Sequence, residues 1–204
     1  DNGPVDMAGS LFWDLAAQWT HVLAGLRAAP ADNHREIVSV GVDTWGVDFG
    51  LLGRGDVLLG NPYHYRDGRT NGVLEKVKES VSHEEIFRHT GLQFLQFNSI
   101  FQLLAMKWSD SPMLSIAESL LMMPDLFHWL LSGEKANEYT NATTTQFFDP
   151  QKNDWARPLL EAFDIPTAFL HPVTQPGTQL GTIRSSVAGE IGQQGIRVVL
   201  PGTH

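Results

Sequence analysis

The sequence contains no cysteine, which excludes disulfide bonds, thiolate zinc sites and cysteine nucleophiles. Basic residues are scarce, because 14 Lys and Arg stand against 23 Asp and Glu. Nucleic-acid binding needs a basic face, so we expect no nucleic-acid partner, and we expect no membrane partner either. Apolar runs long enough to span a bilayer and the basic flank of a signal peptide are also missing. These absences favour a globular protein of the cytoplasm.

Several well-known catalytic motifs are missing as well. The sequence contains no Walker motif, no G-x-G-x-x-G, no H-E-x-x-H and no G-x-S-x-G. Its eight histidines include no pair at the helical spacing of metal ligands, so we expect no metal site in this chain. Hydrophobic residues make up 42% of the 204 residues, which is enough for one substantial core or for one domain of a larger protein.

The first third of the sequence has the pattern of an α/β protein. Apolar residues at helical spacing predict a helix over 11–26. The β-branched run 37–42 predicts a strand buried on both faces, and 47–52 predicts its continuation as a second strand. The glycine-containing turn 53–56 then predicts a hairpin with 57–59. We therefore expect an α/β fold with a mixed sheet flanked by helices.

The rest of the chain is predicted to be largely helical. Caps, first-turn prolines and helix-ending glycines predict the element boundaries. The predicted elements are a helix from Ser82 to Gly91 with a Ser82/Glu85 capping box, a helix over 99–108 capped by Asn98, a helix from Pro124 to Gly133, strands over 143–148, 179–183 and 197–200, and a helix over 154–163; Ser10 is the predicted cap of the first helix.

The strongest candidate site is the polar break that interrupts the apolar run 39–52, between the predicted strands 37–42 and 47–52. Gly46 lets a ligand approach the backbone, and Trp45 offers an apolar ring. Asp43, Thr44 and Asp48 supply polar atoms beside it. This combination suits a polyhydroxylated ligand, which needs both apolar contact and hydrogen bonds. A strand end with a tryptophan in the core explains the same residues, so both interpretations stay open at this point.

The spacing of Asp43 and Asp48 disfavours a glycosidase site, and two other polar groups favour structural roles. Asp43 and Asp48 could form a glycosidase carboxylate pair, but their odd spacing on a strand would direct them to opposite faces. Asp67 can form an ion pair with Arg66 or Arg69 that fixes the loop 63–70. The run 137–146 is rich in hydroxyl and amide side chains, which favour turns.

Six segments of this chain, in order, resemble the FGGY carbohydrate kinases, and among them the rhamnulokinase branch. They are GVDTWGVDF (41–49), YRDGRTNG (65–72), GLQFLQFN (91–98), LMMPD (121–125), EYTNATTTQ (138–146) and PGTH (201–204). The resemblance implies a kinase of two actin-like, RNase H-like domains, with sugar bound in the N-terminal domain. Residues 1–204 would form most of that domain, without its first strands and without the C-terminal domain.

The resemblance also assigns roles to residues. Gly46 and His204 would contact the sugar, with Trp45 and Asp48 as further candidate contacts. The general base would be an aspartate directly after His204, so we expect no catalytic residue within this chain. ATP and Mg²⁺ would be bound by the parent protein.

The expected reaction is transfer of the ATP γ-phosphoryl to L-rhamnulose, giving L-rhamnulose 1-phosphate. The alternatives are an FGGY kinase for another ketose or a polyol, and a non-catalytic sugar-binding or assembly module with an actin-like half-fold. Since neither ATP-handling end is present between residues 1 and 204, we expect this chain by itself to be inactive. Without the first strands, we also expect an exposed sheet edge and self-association through it.

Overall fold

The computed structural model describes residues 2–33 and 36–202. The helices are α1 (Leu15–Asn33), α2 (Val73–Val77), α3 (His83–Thr90), α4 (Ser99–Trp108), α5 (Pro112–Ile116), α6 (Met123–Ser132), α7 (Tyr139–Ala142), α8 (Arg157–Ala162) and α9 (Ser185–Ile191). The strands are β1 (Val5–Met7), β2 (Ser10–Phe12), β3 (Ser39–Val40), β4 (Phe49–Gly53), β5 (Val57–Leu58), β6 (Ser119–Met122), β7 (Asn137–Glu138), β8 (Phe148–Asp149), β9 (Asp154–Trp155), β10 (Val173–Thr174), β11 (Gln179–Thr182) and β12 (Arg197–Val199).

The described residues form two three-stranded sheets, and the polar break leads from β3 of one sheet to β4 of the other. In the first sheet, β12 pairs with β3 in parallel and with β11 antiparallel. In the second sheet, β4 pairs antiparallel with β5 and β6. The parallel and antiparallel pairs of the first sheet confirm the predicted mixed sheet. The prediction that one strand resumes after the break was wrong, because β3 and β4 belong to different sheets.

The strand before the break is shorter and more exposed than predicted. It covers Ser39–Val40, and the side chain of Val38 is 66% exposed. The expected burial on both faces is therefore wrong. Among the described residues, β3 pairs with β12 alone, so it is an outer strand with one unpaired edge there. Self-association through that edge stays a prediction.

The first helix begins later than its apolar pattern predicted. Ser10 lies in β2, which pairs antiparallel with β1, and Phe12 forms a bridge with Tyr63. The backbone there is already committed to strand pairing, so Ser10 cannot cap a helix. Asp14 takes that role, since its carboxylate accepts a hydrogen bond from the N–H of Ala17 at 3.0 Å.

The Ser82 cap and the helix-ending glycines Gly91 and Gly133 are confirmed, whereas the predicted Asn98 cap was wrong. Ser82 Oγ accepts from the N–H of Glu85 at 3.1 Å, and Gly91 ends α3 in the left-handed conformation. Gly133 ends α6 in the same way. Asn98 precedes α4 as predicted, but its side chain donates to Gln146 instead of capping the helix.

The strand predicted over 143–148 was wrong, and the helix predicted over 154–163 is confirmed with a later start. Residues Thr143–Thr145 form a turn of 3-10 helix instead of a strand, because each threonine hydroxyl donates to the carbonyl three residues earlier. Only Phe148–Asp149 is extended, as β8. The helix predicted over 154–163 begins later, because Asp154 and Trp155 pair with β8.

Helix α6 lies between the two sheets and contacts β4, β6, β11 and β12. Leu126 packs with Leu121 of β6, whereas Leu131 packs with Val198 of β12. This apolar helix therefore packs against both sheets, through β11 and β12 of the sheet that contains β3 and through β4 and β6 of the other. No helix in the described part of the chain is both long enough and apolar enough to cross a membrane.

Candidate functional site

The ends of β3 and β12 bring the polar break next to the last described residues of the chain. Because β3 and β12 run parallel, with Val198 opposite Val40, both carboxyl ends leave the same edge of the sheet. A Cβ on Gly41 would lie 2.8 Å from the carbonyl oxygen of Val199 and 3.3 Å from Cδ of Pro201. Only glycine permits this close approach. Ligands of open α/β sheets bind at such carboxyl edges.

Hydrogen bonds from three helices and a turn fix the backbone of the break at several points. The bonds join the Val42 N–H to His128 Nε2 at 3.0 Å, the Trp45 carbonyl to Asn141 Nδ2 at 3.3 Å, the Val47 N–H to Thr144 Oγ1 at 3.0 Å, and the Val47 carbonyl to Ser99 Oγ at 2.6 Å. Gly46 lies between these fixed points, so its backbone is held in one place without a side chain of its own.

Val47 adopts a positive φ of 67°. This conformation is strained for a β-branched residue, and such strain persists only where the surroundings impose it. The hydrogen bonds to both of its backbone groups supply that constraint. The strained residue makes the sharp turn that lets the chain pass from the break into β4.

Asp48 is the buried centre of the site. Its Oδ2 accepts from Trp13 Nε1 at 2.6 Å, from Trp45 Nε1 at 3.0 Å and from the Tyr65 N–H at 3.1 Å. Its Oδ1 accepts from Gln102 Nε2 at 2.9 Å. Burial raises the pKa of the Asp48 carboxyl to about 6, although these donors favour the charged form. The carboxylate therefore ties the break to α4 and to two loops.

Aromatic rings surround this carboxylate. Trp13 and Trp45 stand 4.0 Å apart between ring centroids, and Trp13 lies 4.2 Å from His64. Tyr65 packs edge-on against Phe97 at 5.7 Å. The contact with Trp13 and the hydrogen bond to Asp48 fix the orientation of Trp45, which is half-buried.

The Asp67–Arg69 ion pair is connected to Asp48 through Gln102. Arg69 Nη1 lies 3.4 Å from Asp67 Oδ1, and Asp67 Oδ2 accepts from the Leu11 N–H at 2.7 Å. Arg69 Nη2 donates to Gln102 Oε1 at 2.5 Å. Burial lowers the pKa of Arg69. The predicted ion pair is confirmed, with Arg69 as the partner. Gln102 thus joins the pair to Asp48.

A cavity of about 450 Å³ opens beside the break. The break contributes Asp43, Thr44 and Trp45 to its wall, and α1 contributes polar groups that include Gln18, with Asp14 just before the helix. Asp43 is exposed, whereas Asp48 is 0% exposed. The two carboxylates therefore do not face one another as an acid and base pair, although the segment between them is a turn and not the continuous strand of the prediction.

The structure brings three of the four predicted site residues together. Gly46, Trp45 and Asp48 lie in one turn, and Asp48 has no exposed surface, so it acts on the site through Trp45 and Tyr65. His204 lies outside the described residues, but Gly202 precedes it by two residues at the same edge. Direct contact of these residues with a sugar stays a prediction.

Sequence reasoning missed the polar residues that hold the break. They are Trp13, Ser99, Gln102, His128, Asn141 and Thr144. The density of hydroxyl and amide groups in the run 137–146 was an available indication, but it was interpreted as a turn alone. The other residues stand in apolar helical or strand-like patterns, where one polar side chain carries little information by itself.

Comparison with known proteins gives a consistent result. The model of the FGGY family of carbohydrate kinases, N-terminal domain, matches residues 5–203. Rhamnulokinase of Halalkalibacterium halodurans is 40% identical over 204 residues, which is 100% of this chain and 43% of that protein. Rhamnulokinase of Oceanobacillus iheyensis is 37% identical over the same length, again 43% of the relative. The chain thus spans less than half of the curated relatives that it matches.

The fold is also shared with solved structures. Gluconate kinase from Lactobacillus acidophilus superposes with a TM-score of 0.90 at 18% identity, over 99% of this chain and 42% of that one. This likeness confirms the expected actin-like architecture. The match of the family model over nearly all of the sequence shows that the chain belongs to the FGGY family of carbohydrate kinases and carries the family's N-terminal domain.

Proposed function

We propose that this chain is the sugar-binding part of an ATP-dependent kinase that converts L-rhamnulose to L-rhamnulose 1-phosphate. The observation that carries the proposal is the parallel pairing of β3 with β12. This pairing brings the Gly46 turn and the Pro201–Gly202 segment to one edge of the sheet. These are the two segments where the resemblance places sugar contacts. The similarity to proteins named rhamnulokinase supports L-rhamnulose as the sugar.

The proposed sugar lies against the backbone of Gly46, where no side chain intervenes. The half-buried Trp45 ring supplies apolar contact. We assign a further sugar contact to His204 from the resemblance alone. Asp48 holds Trp45 in place through the indole N–H. In this arrangement the chain binds and orients the sugar so that one hydroxyl faces the phosphoryl donor.

Phosphoryl transfer requires groups outside this chain. The proposed base is the aspartate expected after His204, which would take the proton of the attacking hydroxyl, and the proposed donor is ATP with Mg²⁺. In the part of the chain that the structure describes, no group of three or more His, Asp or Glu side chains is placed to hold a metal ion. We propose that the nucleotide and Mg²⁺ bind to the rest of a cytoplasmic two-domain protein.

The test is a coupled ADP-release assay on the full-length protein that carries this chain, with L-rhamnulose, L-ribulose, D-xylulose and glycerol as acceptors. We expect the highest kcat/KM with L-rhamnulose. A higher kcat/KM with another acceptor would reassign the substrate, and sugar binding without turnover of any acceptor would support the non-catalytic module instead. The 204-residue chain alone should show no turnover.

A variant connects the activity to the proposed site. Gly46→Val places a branched side chain between the backbone and the sugar, so we expect KM for the sugar to rise by about tenfold or more while KM for ATP stays unchanged. Gly25→Ala is the control, because a Cβ at Gly25 meets nothing within 4 Å. Equal sugar KM values for the two variants would contradict the placement of the sugar at Gly46.

A further inference from the structure

A buried aspartate and a buried histidine on α6 face one another directly beneath the break. Asp125 is 1% exposed and His128 is 0% exposed, and one helical turn separates them. His128 Nε2 accepts a hydrogen bond from the Val42 N–H at 3.0 Å. A neutral imidazole that accepts at Nε2 carries its proton on Nδ1. That nitrogen lies 3.6 Å from Asp125 Oδ1.

The other carboxylate oxygen connects α6 to the far side of the break. Asp125 Oδ2 accepts from the Glu138 N–H at 3.1 Å. The Glu138 carboxylate in turn accepts from the N–H groups of Thr140 and Asn141, both at 2.9 Å, and so caps α7. Asn141 Nδ2 then donates to the Trp45 carbonyl at 3.3 Å. One helix thus holds the break directly at Val42 and indirectly at Trp45.

Two atoms of the pair are not used in these connections. Asp125 Oδ1 and His128 Nδ1 are buried and have no hydrogen-bond partner among the described residues. Burial also raises the pKa of Asp125, so keeping this carboxyl inside α6 costs the folded protein stability. Apolar side chains of similar volume would pack there at lower cost. The connections to the break are what the polar pair adds to the structure.

We propose that Asp125 and His128 are positioning residues for the sugar, which fix Val42 from one side and Trp45 from the other and thereby set the position of the Gly46 backbone. This proposal depends on the proposed function, since it concerns the same sugar site. Neither residue lines the cavity beside the break, so both act through the residues that they hold.

The test uses steady-state kinetics of the full-length protein and three variants at His128. His128→Gln can place an amide oxygen where Nε2 accepts from Val42, whereas His128→Asn is too short and His128→Leu has no acceptor. We expect His128→Leu and His128→Asn to raise KM for the sugar about tenfold with KM for ATP unchanged. We expect His128→Gln to stay within about threefold of the wild type.

The control is Leu160→Ala on α8, which creates a cavity in a core cluster that contains no residue of the break. It should lower the melting temperature and leave both KM values unchanged. If Leu160→Ala raises KM for the sugar as much as His128→Asn does, or if the Gln and Asn variants behave alike, the positioning role is refuted. If His128→Leu does not fold, the Gln and Asn variants still decide. An inactive wild type would refute the proposed function instead, and the two failures are therefore distinguishable.

Discussion

Gly41 gives the sharpest test of how the two segments of the site come together. It directly follows β3, and a Cβ there would lie 2.8 Å from the carbonyl oxygen of Val199 and 3.3 Å from Cδ of Pro201. Its φ is not positive, so alanine can adopt the backbone conformation. The effect of Gly41→Ala therefore isolates the steric contact between the two strand ends.

The expected cost follows from the contact with Val199. A carbon at 2.8 Å from a backbone oxygen is closer than real Cβ atoms come, so one of the strands must move. The register of Ser39 with Arg197 and of Val40 with Val198 holds both strands in place, so neither can move without weakening the ladder. Overpacking of this kind costs ~1–3 kcal/mol. We expect about 2 kcal/mol, which lowers the melting temperature of a 204-residue chain by about 4–8 °C.

The assay is thermal unfolding of the wild type, Gly41→Ala and Gly25→Ala, followed by circular dichroism. Gly25 lies within α1, where an added methyl group meets no other atom within 4 Å, so the same substitution there should raise stability by ~1 kcal/mol through helix propensity. Opposite signs for the two variants are the expected result. A Gly41→Ala protein that melts at or above the wild-type temperature would refute the close approach of the two segments.

Three further predictions concern the supporting residues. The raised pKa of Asp48, about 6 against 3.8, means that the folded state binds the proton more tightly. This group's contribution to stability therefore falls by about 3 kcal/mol as pH rises through that window. Relative to the wild type, Asp48→Asn should raise the melting temperature at about pH 7 compared with that at about pH 4, and an unchanged pH dependence would contradict it. Trp13→Phe removes the 2.6 Å bond to Asp48 and should cost ~1.5–3 kcal/mol in urea unfolding, whereas a loss below about 0.5 kcal/mol would mean that this bond contributes little. Ser82→Ala should lower the free energy of unfolding by about 1 kcal/mol, measured by thermal unfolding. Ser111→Ala should lower it less, because the Ser111 side chain makes no capping bond. Equal losses for the two variants would count against the Ser82 cap.

The sequence was most informative where one residue controls its near neighbours. The Ser82 cap and the glycines that end α3 and α6 act over three or four residues, so their elements were predicted correctly. The start of α1 was predicted too early, because the pairing of β2 with β1 competes with the helical pattern and uses the same apolar residues. The threonines after Ala142 were predicted to form a strand, but their hydroxyls bond to nearby carbonyls.

The candidate site was predicted in part for the same reason. Gly46 and Trp45 stand out locally, because a glycine and an aromatic side chain interrupt an apolar run. The sequence placed Asp48 beside them but did not predict that it is completely buried. Three of its four hydrogen-bond donors lie in segments that are distant in sequence. The His128 bond to Val42 is equally long-range and left no pattern in the sequence.

By itself, the sequence determined the local elements with clear caps, the glycine-containing break and, through six ordered segments, the family. The tertiary structure alone decided that β3 is an outer strand, that β3 and β12 pair in parallel, and that Asp48 lies inside an aromatic cluster. The physical reason is range. Caps and turns are hydrogen bonds within a few residues, whereas strand pairing and burial depend on which distant segments share the core around α6.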